Sequence, residues 1–143
     1  MDIPRKFLKT RYINNTCVGF YQYMGPHLSR RDIVKELGFP VWDDDGKHWI
    51  IGFVNNESIH NLVGFVAWKQ KDGVVTLNSA WVRPDYRRHG VYTQLADERM
   101  NMIKGPCVVR VVAKGFAAYH LQAIGFHVVA ETKQFVKLEK EIA

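Results

Sequence analysis

Apolar residues along this chain recur at two spacings, every second position in some stretches and every third or fourth in others. The order of those stretches outlines an architecture. Residues from about Lys6 to Ile13 read as a first strand. Ser29 is placed to N-cap a helix through Ile33, Val34 and Leu37, which Gly38 and Pro40 stop. His48 to Val54 and Leu62 to Trp68 are strands joined by the polar segment Asn55-Asn56-Glu57-Ser58 and its flank, and Lys71-Asp72-Gly73 is a hairpin turn into a strand from Val74 to Val82. A helix then runs to about Lys104, with Val91, Leu95, Met102 and Ile103 on its apolar side and Gly105 and Pro106 ending it. Cys107 to Ala113 is almost continuously apolar, as a strand covered on both faces should be. In the next helix Phe116, Tyr119, His120 and Ala123 fall at helical spacing, as do Ala117, Leu121 and Ile124. Gly125 is its left-handed stop. His127 to Ala130 and Gln134 to Leu138 make a final hairpin.

An antiparallel meander followed by alternating helix and strand indicates an α/β (α+β) fold with a mixed sheet and helices on both faces. At 143 residues, with 47% hydrophobic and 13% aromatic content, the chain holds one domain with a real core, residues 1–143, and is too short for two ordinary ones. No linker, repeat or low-complexity tract divides it. Met1 is followed by Asp2, Arg5, Lys6, Lys9 and Arg11 rather than by an apolar run, so a cytoplasmic protein without membrane contact is expected. Cys17 and Cys107 lack metal or redox spacing and read as buried free thiols.

The chemistry concentrates between the fourth predicted strand and the helix after it. Val82-Arg83-Pro84-Asp85-Tyr86-Arg87-Arg88-His89-Gly90-Val91 places a glycine and two arginines at a strand-to-helix junction. The first turn of a helix has N–H groups without intrahelical partners and a partial positive charge, so it can hold a phosphate by main chain alone. Gly90 lets the backbone approach closely, and Arg87 and Arg88 can add charge-assisted bonds at the rim. Neither a Walker loop nor a dinucleotide fingerprint is present, because the further glycines and the Lys-Ser/Thr pair are missing.

The segment Arg87-Arg88-His89-Gly90-Val91-Tyr92 resembles motif A of the GNAT N-acetyltransferases: Arg or Gln, two residues, Gly, one residue, then Gly or Ala. Tyr92 replaces the last small residue and narrows the space over a pyrophosphate. Lys114 to Phe126 is similar to motif B of the same family, a short helix ending in a bulky apolar residue, Gly and Phe. The resemblance implies a mostly antiparallel central sheet splayed between strands four and five, and acetyl-CoA as co-substrate in that split, between Val74–Val82 and Cys107–Ala113. It also implies that main chain near Trp81 and Val82 meets pantetheine, and that Arg88, His89, Gly90, Val91, Tyr92 and Thr93 surround the pyrophosphate. Arg87 takes the place of the family's first Gln or Arg. An amine would attack the thioester directly, leaving positioning and charge stabilisation to the protein.

The acid and base depart from the family pattern. Where relatives carry a Glu on the fourth strand, this strand offers Thr76, Asn78 and Ser79, and where they carry a Tyr four residues before the motif B glycine, this chain has Leu121. Tyr119, His120 and Tyr92 are the catalytic candidates for protonating the leaving thiolate. His120 lies one residue from the family position and is of the residue type most often used as a general acid or base, whereas Tyr119 is roughly 200 degrees around the helix from it.

No metal is expected: the six histidines form no helical pair four apart, and Asp43-Asp44-Asp45-Gly46 lacks the later Glu of a calcium loop. The formal net charge of +6, with Arg30-Arg31 among its sources, allows a polyanionic partner, although CoA accounts for part of it. The expected function is acetyl-CoA-dependent N-acyl transfer to an amine on a small molecule, protein or nucleic acid, by a monomer or homodimer. Alternatives on the same scaffold are nucleic-acid base modification, as in the phage Mom protein, and a non-catalytic CoA-binding or inhibitor module.

Overall fold

The computed structural model describes residues 8–28, 30–38 and 41–143. One seven-stranded sheet runs through it in the order β1-β2-β3-β4-β5-β7-β6. The strands are β1 (Leu8–Ile13), β2 (Lys47–Val54), β3 (Leu62–Lys71), β4 (Val74–Val82), β5 (Cys107–Ala113), β6 (His127–Glu131) and β7 (Val136–Ile142). All neighbours are antiparallel except β4 and β5. The helices are α1 (Phe20–Met24), α2 (Arg31–Leu37), α3 (Val91–Met102) and α4 (Gly115–Ala123). Among the described residues no helix is long and apolar enough to cross a membrane.

Alternation along the strands feeds two cores, one on each face. Trp49, Ile51 and Phe53 of β2 join Phe65 and Ala67 of β3 and Trp81 of β4 under α1 and α2, with Phe20, Met24 and Ile33 pointing in from those helices. On the opposite face Ile50, Val66, Val75 and Leu77 pack with Val91 and Leu95 of α3 and with Ala118 and Leu121 of α4. The β3–β4 hairpin closes through Asp72 (φ 53) and Gly73 (φ 77), the two left-handed positions of the tightest hairpin turns, as the Lys71-Asp72-Gly73 signal predicts.

Several expectations need correction. The helical region between β1 and β2 holds two helices, not one: α1 and a 3-10 turn (Gly25–His27) precede α2. The expected cap, Ser29, and the expected breaker Pro40 lie outside the described residues, as do Lys6 and Phe7 of the first strand. β5 is not covered on both faces. Cys107, Val109, Val111 and Ala113 are buried under α3 and α4, while Arg110 and Val112 are exposed because α1 and α2 reach only over β2 to β4. On α3 the buried stripe is Val91, Leu95, Ala96 and Arg99, and Met102 is exposed. Cys17 is half-buried rather than buried; Cys107 is a buried free thiol as expected.

Helix α3 can lie this close because Gly52 of β2 pairs with Gly64 of β3 directly beneath it. A Cβ on Gly64 would stand 2.9 Å from the Trp81 carbonyl oxygen and 3.2 Å from Leu95 Cδ1, and one on Gly52 would stand 3.3 Å from Leu95 Cδ2. The first obstruction is backbone and cannot rotate away. Gly64→Ala is therefore expected to cost about 1–3 kcal/mol of stability through overpacking and Gly52→Ala less. Urea unfolding of the two variants measures both, and equal, negligible effects would show that the helix can shift at no cost.

Candidate active site

The strands β4 and β5 run together for only four residue pairs, Val74–Leu77 against Val108–Val111. Beyond them β4 turns away. Its register with β3 skips between Phe65 and Ala67, and Ser79 at the skip has φ 53, a left-handed conformation that serine adopts only when its surroundings impose it. The segment from Asn78 to Val82 consequently has no β5 partner. A cavity of about 550 Å³ occupies the gap, bordered by Asn78, Ser79, Tyr92, Arg99, Val111 and Ala113.

Arg99 supports this irregularity from beneath. Its Nη1 donates to the Ala67 carbonyl oxygen (3.2 Å), opposite the bulge, and the residue is 2% exposed. Among the described residues no carboxylate pairs with it, and its Nε has no hydrogen-bond partner. A buried guanidinium remains charged, so the lower end of the gap carries a fixed cation.

A second cavity, of about 720 Å³, opens at the start of α3. Trp81, Val82, Arg87, Arg88, Gly90, Val91, Tyr92 and Thr93 all line it, together with Phe116 and Ala117 of α4; His89 is not among its lining residues. Gly90 caps α3 at φ 81, a backbone state suited to glycine, no side chain caps the first turn, and no acid lies in that turn. Leu37, Ala80, Tyr92 and Ala117 border both cavities, which makes them one continuous cleft from the helix terminus into the split.

The two arginines of the motif differ. Arg88 is exposed, has φ 65 and makes no hydrogen bond or ion pair among the described residues, as a rim cation should. Arg87 also borders the cavity, but it is engaged by protein groups. Its Nε donates to the Val82 carbonyl oxygen (2.8 Å) and its Nη2 pairs with Glu36 Oε2 of α2 (2.6 Å), so it ties the end of β4 to the opposite layer.

The three candidate acids also separate. Tyr92 lies where the two cavities meet; burial raises its phenol above the ordinary tyrosine value, and the neighbouring Arg99 opposes that shift. His120 stands behind Tyr92, with ring centroids 5.7 Å apart, and borders neither cavity. It stacks on Phe116 at 6.2 Å and its Nε2 lies 3.4 Å from Asp97 Oδ1. Tyr119 is 70% exposed on the outer side of α4, beside Phe116, and borders neither cavity. The family position, Leu121, is in the core. The acidic turn is held by its neighbours, with Asp43 accepting from the Tyr21 hydroxyl (2.6 Å), Asp45 from Asn15 (3.1 Å) and Asp44 paired with Lys69.

Three buried polar residues went unnoticed in the sequence: Arg99, Lys47 and His27. Arg99 left a signal, because it follows Val91 and Leu95 at intervals of four, a cation on an apolar stripe. Lys47 and His27 left none, since what buries them, Ser79 for Lys47 and Phe65 and Trp81 for His27, is distant in sequence. The His27 ring lies tilted against Trp81 (5.4 Å) and Phe65 (5.7 Å), and the Arg30 guanidinium lies over the Trp81 ring at 5.4 Å.

Residues 12–128 match the model of the Acetyltransferase (GNAT) family. The chain belongs to that family. The fold agrees: the crystal structure of Escherichia coli ElaA superposes with a TM-score of 0.72 at 18% identity, over 94% of this chain and 99% of that one. The ribosomal-protein-S18-alanine N-acetyltransferase of Escherichia coli gives 0.68 at 13% identity, over 95% and 94%. A GNAT family acetyltransferase from Elizabethkingia anophelis with acetyl-CoA bound gives 0.62 at 11% identity, over 96% and 100%. No curated protein matches the chain by sequence.

Burial lowers the His27 imidazole to about 4, aided by the charge of Arg30. A histidine neutral in the native state but free to protonate when unfolded removes stability as pH falls from about 6.5 to about 4. The loss amounts to roughly 3 kcal/mol at 1.36 kcal/mol per pK unit. Denaturant unfolding at the two ends of this window should show His27→Phe losing less stability than the wild type by about that amount. An equal loss in both proteins would show that His27 protonates freely in the folded chain.

Proposed function

We propose that this chain is an acetyl-CoA-dependent N-acyltransferase. The observation that carries the reading is the continuity of the cleft: uncapped N–H groups and Arg88 at one end, an unpaired strand edge and a fixed cation at the other, with Tyr92 between. A pyrophosphate suits the first end, because Gly90, Val91, Tyr92 and Thr93 bring main-chain donors and the helix dipole to one point. An extended amide-bearing arm suits the second, since Asn78 to Val82 can supply the strand-like hydrogen bonds that β5 does not make. Leu37, Ala80, Val111 and Ala113 give part of the cleft an apolar border.

The acceptor amine enters the split beside the thioester. Its nitrogen attacks the thioester carbonyl carbon, a C–N bond forms, and the C–S bond breaks to release a thiolate. Tyr92 is the group placed to protonate that sulfur. It borders both cavities, whereas His120 and Tyr119 border neither. The buried Arg99 beside it stabilises the phenolate left after the proton moves.

Two measurements check this reading. Binding to the native state alone stabilises it by mass action, so CoA at a hundred times its dissociation constant should add about 2.7 kcal/mol in a thermal-shift titration. Gly90→Ala should be folded but weakened by about 1–2 kcal/mol, the cost of a left-handed side chain, and should lose most of the CoA-induced shift. Absence of any shift with millimolar CoA in the wild type would remove the cofactor assignment.

The second concerns chemistry. CoA release is followed with a panel of small amines, basic peptides and DNA. Tyr92→Phe should bind acetyl-CoA and lose 10²- to 10⁴-fold in transfer rate, about the contribution of a general acid, while His120→Phe should lose far less. The opposite ranking would move the acid to His120, and full rates in both would leave solvent as the proton source.

A further inference from the structure

The acyltransferase reading needs a proton acceptor for the attacking amine; β4 carries no carboxylate, and Glu139, which borders the cavity in the split, is paired with Arg110 (2.8 Å). The structure places a different pair there. Ser79, at the left-handed position of the bulge, borders the cavity in the split, and its Oγ is 2.9 Å from Lys47 Nζ of β2. Lys47 is 3% exposed and stands behind the serine, out of the cavity. Its Nζ also donates to the Trp42 carbonyl oxygen (2.8 Å) and lies 4.4 Å from the Trp49 ring centroid. We propose that Ser79 and Lys47 form the relay that takes the proton from the amine during acyl transfer.

The groups facing Lys47 explain why it can serve. Asp43 and Asp44 lie on the preceding turn and favour its charge, but Asp43 is engaged by the Tyr21 hydroxyl and Asp44 by Lys69, whose own charge disfavours it from β3. Trp49 on β2 offers a ring face that also favours the cation. Among the described residues no ion pair offsets the cost of burial. Burial therefore dominates and lowers the amine to about 8, within reach of neutrality at working pH. A neutral lysine keeps an N–H for the Trp42 carbonyl and has one lone pair for the Ser79 hydroxyl.

The step balances as follows in atoms and charge. Attack gives a tetrahedral adduct with a positively charged nitrogen and a negative oxygen. One N–H proton of the adduct passes to Ser79 Oγ as the serine's own proton passes to Lys47 Nζ, which becomes an ammonium. Collapse of the adduct breaks the C–S bond, and the thiolate takes the phenolic proton of Tyr92. Lys47 then returns its proton to solvent, and Tyr92 regains one from it. The sum is amine plus thioester giving amide plus thiol.

This relay rests on the acyltransferase reading, and the experiment separates the two. The lysine side chains are titrated by NMR in the wild type, with Lys47→Arg identifying the Lys47 signal. Transfer is then followed from pH 6 to pH 10 in wild type, Ser79→Ala and Lys47→Arg. Lys47 is expected to titrate near 8, and the wild-type kcat/KM to rise through the same pH. Arginine keeps the charge and both hydrogen bonds but cannot give up a proton. Lys47→Arg should therefore lose about 10²-fold or more and lose that limb of the profile, and Ser79→Ala should do likewise while keeping a low Lys47 value. A merely structural lysine would be rescued by arginine. Titration of Lys47 above 10, or transfer by Lys47→Arg with an unaltered profile, would overturn the relay alone. Failure of the wild type to release CoA with any amine would overturn the transferase reading and the relay with it.

Discussion

The bulge at Ser79 is the constraint on which the site depends. A strand that paired on both sides along its whole length would seal the sheet and leave no gap. By placing one residue in the left-handed region, at a cost of roughly 1–3 kcal/mol, β4 keeps β3 as its partner and departs from β5. The Ala67 carbonyl opposite the irregularity is then satisfied from α3 by Arg99. The same helix begins at Gly90, at the far end of the cleft. One helix therefore braces the bulge with its third turn and presents backbone donors with its first.

Buried polar groups gather around this irregularity. Among the described residues the buried polar or charged ones are His27, Lys47 and Arg99. His27 packs tilted against Trp81 of β4, Lys47 hydrogen-bonds Ser79 of β4, and Arg99 holds the carbonyl across from the bulge. Each gives up hydration that a surface residue keeps, so their shared location is energetically unfavourable for the fold taken alone. Structural economy would have put apolar residues there. What the three share is contact with β4 or with the carbonyl opposite its bulge.

Much of this architecture was legible in the sequence because it rests on local signals. The Asp72-Gly73 turn, the strands Val74–Val82 and Cys107–Ala113, and Gly90 at the strand-to-helix junction are set by backbone preference and short-range periodicity. Helix α1 is not legible, because five residues between a left-handed Gly19 and Gly25 carry too little periodicity to be told from a loop. The apolar run of β5 misled, since Val112 is apolar without being covered; which helices lie over a strand is a tertiary fact. Arg87 borders the cavity that its motif position suggests, but its ion pair with Glu36, fifty-one positions earlier, is not legible from any local signal. Lys47 and Ser79 are joined by a contact that no spacing rule anticipates.

The short contact between β4 and β5 has a mechanical consequence. β5 shares seven residue pairs with β7 but only four with β4, so the sheet consists of two well-knit panels joined along a narrow seam. Cooperative unfolding units follow such contact densities, and the seam is the place where one panel can open before the other. Anything wedged between the panels beyond Leu77 would touch both and couple their fluctuations. Amide hydrogen exchange in β5-β7-β6 would then report, from one side of the seam, on the occupancy of a cleft whose other wall is β4.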